Sequence, residues 1–287
     1  MEEYEKEIIS LFAVEGKELK ASFYQSNHVE TKAIILYFHG GGLVFGQRDD
    51  LPKQYIDLFT KNGLAILAVD YPLAPQAKLP LILETSFKIT DYFVHQFLTQ
   101  KGTDHYFIMG RSAGAYLSLS AGLHARKFEN KALGILSLYG YYSLASAEFS
   151  SPSSYYLNYP KVKEGTISHL ITKEEILSEG KQDRFLLYLF GRQRGNWMDF
   201  LLSSPEEKSE FSLNKEQIKT LAPLFLAAAK KDPDVPSRQS RQLANFHPSA
   251  ELVLYDSDEH DFDRTQQQTF GIDLYEKMLA WILEKIE

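Results

Sequence analysis

Short apolar runs bounded by polar residues recur along this chain, and each reads as a buried strand. They are Ala33–Phe38 (AIILYF), Leu64–Val69 (LAILAV), Tyr106–Met109 (YFIM), Leu133–Leu138 (LGILSL) and Pro223–Ala229 (PLFLAAA), with a weaker run at 251–255. Between them, apolar positions recur at helical spacing and predict helices over 49–62, 80–100, 112–126, 237–246 and 266–286. Asp49 or Asp50 is the expected start of the first helix, and Asn62-Gly63 its stop. Residues 4–10 and 18–25 carry β-favouring residues and predict a short hairpin. Strands that alternate with helices imply an α/β fold with a mainly parallel central sheet and helices on both faces.

One stretch breaks the alternation. More than eighty residues separate the strands at 133–138 and 223–229, too many for a plain connection in a compact domain. The stretch has helical patterns of its own, Lys181–Gly191 and Asn214–Leu221, and opens on a tyrosine-rich run from Tyr139 to Tyr159. Residues 1–140 and 221–287 are therefore expected to form the core. Residues 141–220 are expected to form a helical cap, inserted before the penultimate strand.

Candidate chemistry gathers where strands end. Tyr106–Met109 runs directly into Gly110-Arg-Ser-Ala-Gly114 and then into an alanine- and leucine-rich helical segment. A strand that reverses at once into a helix leaves no room for side chains two positions either side of its apex, which explains Gly110 and Gly114. The apex residue, Ser112, is then held exposed above a helix N-terminus, as in a nucleophile elbow. G-x-S-x-G alone is a weak signal, arising by chance in roughly one chain in ten of this length. Its surroundings strengthen it. His39-Gly-Gly-Gly42 ends the strand Ala33–Phe38, and three consecutive glycines can bring bare N–H groups close to a reacting carbonyl. Gly41 and Gly42, with the N–H of Ala113, are the candidate oxyanion donors; His39 is expected to orient this loop rather than titrate.

A serine nucleophile needs a base and an orienting acid, in the chain order Ser, Asp or Glu, His. Lys230-Lys-Asp-Pro-Asp-Val-Pro236 follows one strand, and Asp256-Ser-Asp-Glu-His-Asp-Phe262 the next. Both loops lie at the sheet edge that holds the elbow. His260 is the candidate base and an Asp within 232–234 the acid. Strand-end placement favours Asp232, while Asp234 could cap the helix starting near Ser237. Asp258, Glu259, Asp261 and Asp263 crowd His260 in sequence; if they crowd it in space, they favour the imidazolium and move the acid limb of activity to higher pH. The other histidines, such as His95 and His124, read as structural or surface residues.

These pieces together resemble the hormone-sensitive-lipase-like branch of the α/β-hydrolases. The matching segments are HGGGLVFG (39–46), VDYPLAP (69–75), GRSAG (110–114), KDPDVP (231–236) and EHDF (259–262), in the family's order. The resemblance implies an α/β-hydrolase fold, Ser112 as nucleophile, Asp232 as acid, His260 as base, and Gly41, Gly42 and Ala113 as oxyanion donors. It also implies a serine carboxylic-ester hydrolase of small to medium esters. The chain departs from the family at Arg111, where Asp or Glu is usual, and at Asp70-Tyr-Pro-Leu-Ala-Pro-Gln76, where DYRLAPE is usual. Thirty-eight residues precede His39, so a cap must come from 141–220.

Composition narrows the alternatives. A net charge of −7 over 287 residues argues against nucleic acid or an anionic membrane as the main partner. The absence of cysteine excludes disulfides, thiol nucleophiles and thiolate zinc sites, and fits a cytoplasmic protein. The acidic start, MEEYEKEIIS, is unlike a signal peptide, and no apolar run has membrane-spanning length. No motif implies a metal or an organic cofactor. An amidase, formamidase or peptidase with the same triad is the alternative enzyme. A ligand-binding protein on a hydrolase scaffold is the alternative of another class.

Overall fold

The computed structural model describes residues 3–172, 175–180 and 182–287. Lys173, Glu174 and Lys181, which fall in the expected cap, lie outside the described residues. Eight strands form one sheet in the order β1-β2-β4-β3-β5-β6-β7-β8. They are β1 (Tyr4–Val14), β2 (Lys17–Ser26), β3 (Ala33–Phe38), β4 (Leu64–Val69), β5 (Tyr106–Arg111), β6 (Gly134–Leu138), β7 (Leu224–Ala229) and β8 (Ala250–Tyr255). The hairpin β1–β2 pairs antiparallel and joins β4 antiparallel, while the six strands from β4 to β8 along the sheet pair parallel.

The all-apolar strands are explained by burial on both faces. Along β3, Ile34, Leu36 and Phe38 enter one hydrophobic layer and Ile35 and Tyr37 the opposite one, as a period of two requires. The main helices are α1 (Lys53–Lys61), α2 (Leu79–Tyr92), α3 (Ala113–Ala125), α4 (Glu164–Ile171), α5 (Phe185–Arg194), α6 (Arg238–Phe246) and α7 (Ile272–Ile286). On one face Tyr55 and Phe59 of α1 and Leu274, Met278 and Trp281 of α7 cover the sheet. On the other lie Ile82 and Ile89 of α2, Leu117 of α3 and Leu243 of α6. Helix α3 has scarcely a polar side because its residues are buried nearly all round.

Three helices packed on the sheet differ from the sequence expectation. Helix α1 starts at Lys53 after Pro52, because Asp49 and Asp50 have distant partners instead of helix N–H groups. Asp49 accepts from Tyr24 Oη at 2.5 Å and pairs with Lys6, and Asp50 accepts from Tyr37 Oη at 2.6 Å. The helix expected over 80–100 passes through a π turn at Phe93–Phe97, which sets Phe93 and Phe97 edge-on against Tyr106 and Phe23. A second π turn, Gln267–Gly271, precedes α7, where Tyr55 Oη leaves no room for a Cβ on Gly271.

Between β6 and β7 the described residues form α4, α5 and several single helical turns, with no strand. The segment is bound to the loops at the C-terminal ends of the strands. Arg184, buried, donates through Nε to the Val44 carbonyl at 2.7 Å and through Nη2 to the Ala74 carbonyl. Gly180 pairs with Gly46 in an isolated β-bridge. Among the described residues, no helix is long and apolar enough to cross a membrane.

Candidate active site

The turn between β5 and α3 is built by close approach. A Cβ on Gly110 would lie 1.9 Å from the Gly114 carbonyl oxygen, and one on Gly114 would lie 2.1 Å from that of Phe38. Only glycine lets β5 reverse into α3 against β3. The reversal forces Ser112 to φ 53° and ψ −118°, outside the regions favoured by a side-chain-bearing residue. Its N–H donates to the Leu138 carbonyl at 2.9 Å, and its own carbonyl accepts from Ala115 N–H at 3.0 Å. The strained apex is therefore tied down on both sides.

Ser112, His260 and Asp232 come together from three strand-end loops. His260 Nε2 lies 2.8 Å from Ser112 Oγ, and its Nδ1 lies 2.8 Å from Asp232 Oδ2. The other Asp232 oxygen accepts the N–H groups of Asp234 and Val235, each at 2.9 Å, in a turn that fixes the carboxylate. The Asp232 side chain is completely buried. A carboxylate held this way fixes the tautomer with Nδ1 protonated, leaving Nε2 for the serine hydroxyl. Behind His260 stands Tyr139, edge-on with ring centroids 5.0 Å apart.

The choice left open between the two aspartates has a geometric answer. Asp232 faces Nδ1, whereas Asp234 Oδ2 lies 3.9 Å from Nε2, the nitrogen that meets Ser112. Asp234 does not cap α6, whose N-cap Ser237 makes no side-chain cap bond. It accepts instead from Tyr156 Oη at 3.0 Å and Tyr188 Oη at 2.8 Å, and pairs with Arg192 at 3.3 Å.

Charge around His260 is distributed differently from its neighbours in sequence. Burial alone would lower its pKa, but Asp232 first, then Asp234 and Asp261, outweigh burial and raise it to about 9. Asp263 faces away, accepting from Tyr139 Oη at 2.7 Å and Tyr275 Oη at 3.2 Å, with Arg111 Nη1 at 3.4 Å. Arg111 also reaches Asp50 at 3.3 Å. The residue that departs from the family pattern is thus a buried cation between a wholly buried carboxylate, Asp263, and a partly buried one, Asp50.

The His39–Gly42 loop lies beside the serine, with the Cβ position of Gly40 only 3.4 Å from Ser112 Cβ. Gly41 and Gly42 adopt φ 107° and 59°, which glycine alone adopts freely. Among the described residues, no acceptor takes the N–H of Gly41 or Gly42. Ala113 opens α3, so its N–H has no partner one turn back. His39 is wholly buried; its ring stacks on Tyr71 at 4.2 Å, and its pKa is lowered, by burial first of all. It is a neutral wedge under the loop. Of the histidines expected to be structural, His124 pairs with Asp91 at 2.9 Å and His95 packs edge-on against Phe128. Among the described residues, no group of histidines and carboxylates could hold a metal ion.

Two further site contacts come from aromatic side chains of residues 141–220. Trp197 donates through Nε1 to the Gly42 carbonyl at 2.9 Å, and the Tyr188 ring fills the space where a Gly42 Cβ would sit. Both belong to the inserted segment, and only the fold brings them to residue 42.

Comparison with known proteins agrees with this architecture. Residues 35–264 match a family model described as the alpha/beta hydrolase fold. The chain belongs to the α/β-hydrolase family. The hormone-sensitive-lipase-like branch read from the motifs is supported alongside it. A solved structure of a protein of unknown function from Staphylococcus aureus superposes with a TM-score of 0.86 at 29% identity, over 98% of this chain and 99% of that one. An alpha/beta hydrolase superfamily protein from Enterococcus faecalis gives 0.83 at 27% identity, over 97% and 98%. An acetyl esterase of Salmonella schwarzengrund is 31% identical over 118 residues, which are 40% of this chain and 36% of that protein. The match thus spans about a third of the curated relative. At 18% identity and a TM-score of 0.71, a carboxyl esterase 2 from Tuber melanosporum shares the fold.

Proposed function

We propose that this α/β-hydrolase is a serine carboxylic-ester hydrolase of small esters. The observation that carries the proposal is the unbroken line from Ser112 Oγ through His260 to Asp232, with both hydrogen bonds at 2.8 Å. Ser112 attacks the ester carbonyl as His260 takes its proton; Asp232 holds the imidazolium; His260 then protonates the leaving alcohol. Water, activated by the same histidine, releases the acid. The N–H groups of Gly41, Gly42 and Ala113 meet the oxyanion, and loss of one such donor costs about 3 kcal/mol of transition-state stabilisation.

Residues 141–220 act as the cap and set the size of the acyl group. Tyr188 and Trp197 close directly over Gly42, so space beside the oxyanion loop is short. A short acyl chain fits this, in keeping with the acetyl esterase name of the partly matching relatives. A p-nitrophenyl ester series from acetate to dodecanoate tests it. Turnover is expected to be greatest at acetate to butyrate and to fall steeply beyond. An optimum at octanoate or longer would refute the short pocket.

A further inference from the structure

Asp234 has no part in the line from Ser112 to Asp232, yet it is the nearest carboxylate to the reacting edge of His260. Its Oδ2 lies 3.9 Å from Nε2, too far for a hydrogen bond and close enough for charge to act. The carboxylate is nearly wholly buried, and its partners outside its own loop are Tyr156, Tyr188 and Arg192, all from the inserted segment. Arg192 is itself buried, its guanidinium 5.5 to 5.7 Å from the ring centres of Phe149, Tyr156, Tyr188 and Trp197. A buried carboxylate gathered by three side chains of another segment and aimed at a histidine is expensive to build for packing alone.

We infer that Asp234 is a positioning residue for the reaction: a second carboxylate, held by residues 141–220, that balances the His260 imidazolium from its Nε2 edge while Asp232 balances it from Nδ1. This deepens the esterase proposal and rests on it. During acylation the proton leaves Ser112 Oγ for Nε2, the atom nearest Asp234, and in the next step leaves Nε2 for the alcohol oxygen. No bond to Asp234 forms or breaks. Its charge acts at the point where positive charge develops, and two hydroxyls and a guanidinium reduce that charge without cancelling it. Other groups face His260 as well. Asp232 and Asp261 act on it from their loops, Tyr139 presents a ring edge, and Ser112 is its hydrogen-bond partner. Around Asp234, Tyr141 and Tyr155 also lie within electrostatic range.

The sign can be tested in both directions. Asp234→Asn keeps an acceptor for the tyrosines and removes the charge, so the acid limb of kcat/KM should move to lower pH by about one unit. The alkaline plateau should fall as well, because the imidazolium formed in turnover is less well balanced. Tyr188→Phe keeps the ring over Gly42 and strips one hydroxyl from Asp234, so its field strengthens and the limb should move to higher pH. The readout is the pH dependence of p-nitrophenyl acetate hydrolysis and of fluorophosphonate labelling, both corrected for the Ser112→Ala background. Opposite shifts in the two variants support the inference. An unmoved limb in Asp234→Asn, or a raised KM in its place, overturns it. Should Asp234→Asn not fold, an unmoved or lowered limb in Tyr188→Phe overturns it. If the wild type shows no Ser112-dependent reaction, the esterase proposal fails; a reaction with unmoved limbs sinks the role of Asp234 alone.

Discussion

Two buried arginine–aspartate clusters flank the site, and they differ in what they can do. Arg111, Asp50 and Asp263 lie behind the elbow, with Tyr37, Tyr139 and Tyr275 completing the hydrogen bonds of the carboxylates. All come from the sheet domain. The cluster meets His260 through the edge-on ring of Tyr139. Arg192 and Asp234 lie on the opposite side and join the inserted segment to the loop after β7. Here the carboxylate faces the imidazole directly. This pair also borders a cavity of about 220 Å³ lined by Glu148, Ser151, Asp232 and Pro233, whereas the Asp263 side chain is wholly buried. A closed cluster fixes geometry, whereas one that spans two segments and meets a cavity can couple their docking to the electrostatics of the site.

The sharpest break of this comparison is in stability. Arg111→Leu takes the cation from the wholly buried Asp263 and should cost about 3–5 kcal/mol. Arg192→Leu leaves Asp234 with two hydroxyls and a cavity that can admit water, so its cost should be smaller. Urea unfolding of both variants decides; equal losses would erase the distinction.

A second effect follows from the raised pKa of His260. A group whose folded pKa of about 9 exceeds the ordinary histidine value stabilises the fold fully below about pH 6.5. That contribution, on the order of 1–3 kcal/mol, is lost as pH rises through 9. Urea midpoints should therefore fall between pH 6.5 and 9, and His260→Gln should flatten that slope. A slope unchanged in His260→Gln would place its origin elsewhere.

The smallest effect probes the joint between segment and core. Trp197→Phe keeps most of the packing and removes the donor to the Gly42 carbonyl, at a cost of about 1 kcal/mol. It should lower kcat several-fold with little change in KM, as expected when only the His39–Gly42 loop, the proposed oxyanion donor, loosens. A change confined to KM would place Trp197 in substrate binding.

Much of the sheet was legible because strands buried on both faces are simply apolar, as AIILYF and LAILAV are. The elbow was legible because close approach leaves no residue but glycine at 110 and 114. What escaped were features whose partners, distant in sequence, leave no motif. Asp49 and Asp50 carry the chemistry of helix caps, but Tyr24, Tyr37 and Arg111 claim them. The charge on His260 was expected from Asp258, Glu259, Asp261 and Asp263; its leading sources are Asp232, then Asp234, twenty-six positions upstream, and Asp261. Arg111, a departure from the family motif, makes sense only once Asp263 folds back beside it. In the inserted segment, no periodicity marks Tyr188, Arg192 or Trp197 as residues of the site.

The most direct test of the esterase reading is mass-spectrometric mapping of a fluorophosphonate adduct, run beside ester hydrolysis. The expected result is a single adduct on Ser112 that abolishes turnover, with neither labelling nor hydrolysis in Ser112→Ala. Hydrolysis that survives in Ser112→Ala, or an adduct on another residue, would contradict the assignment of Ser112 as the nucleophile.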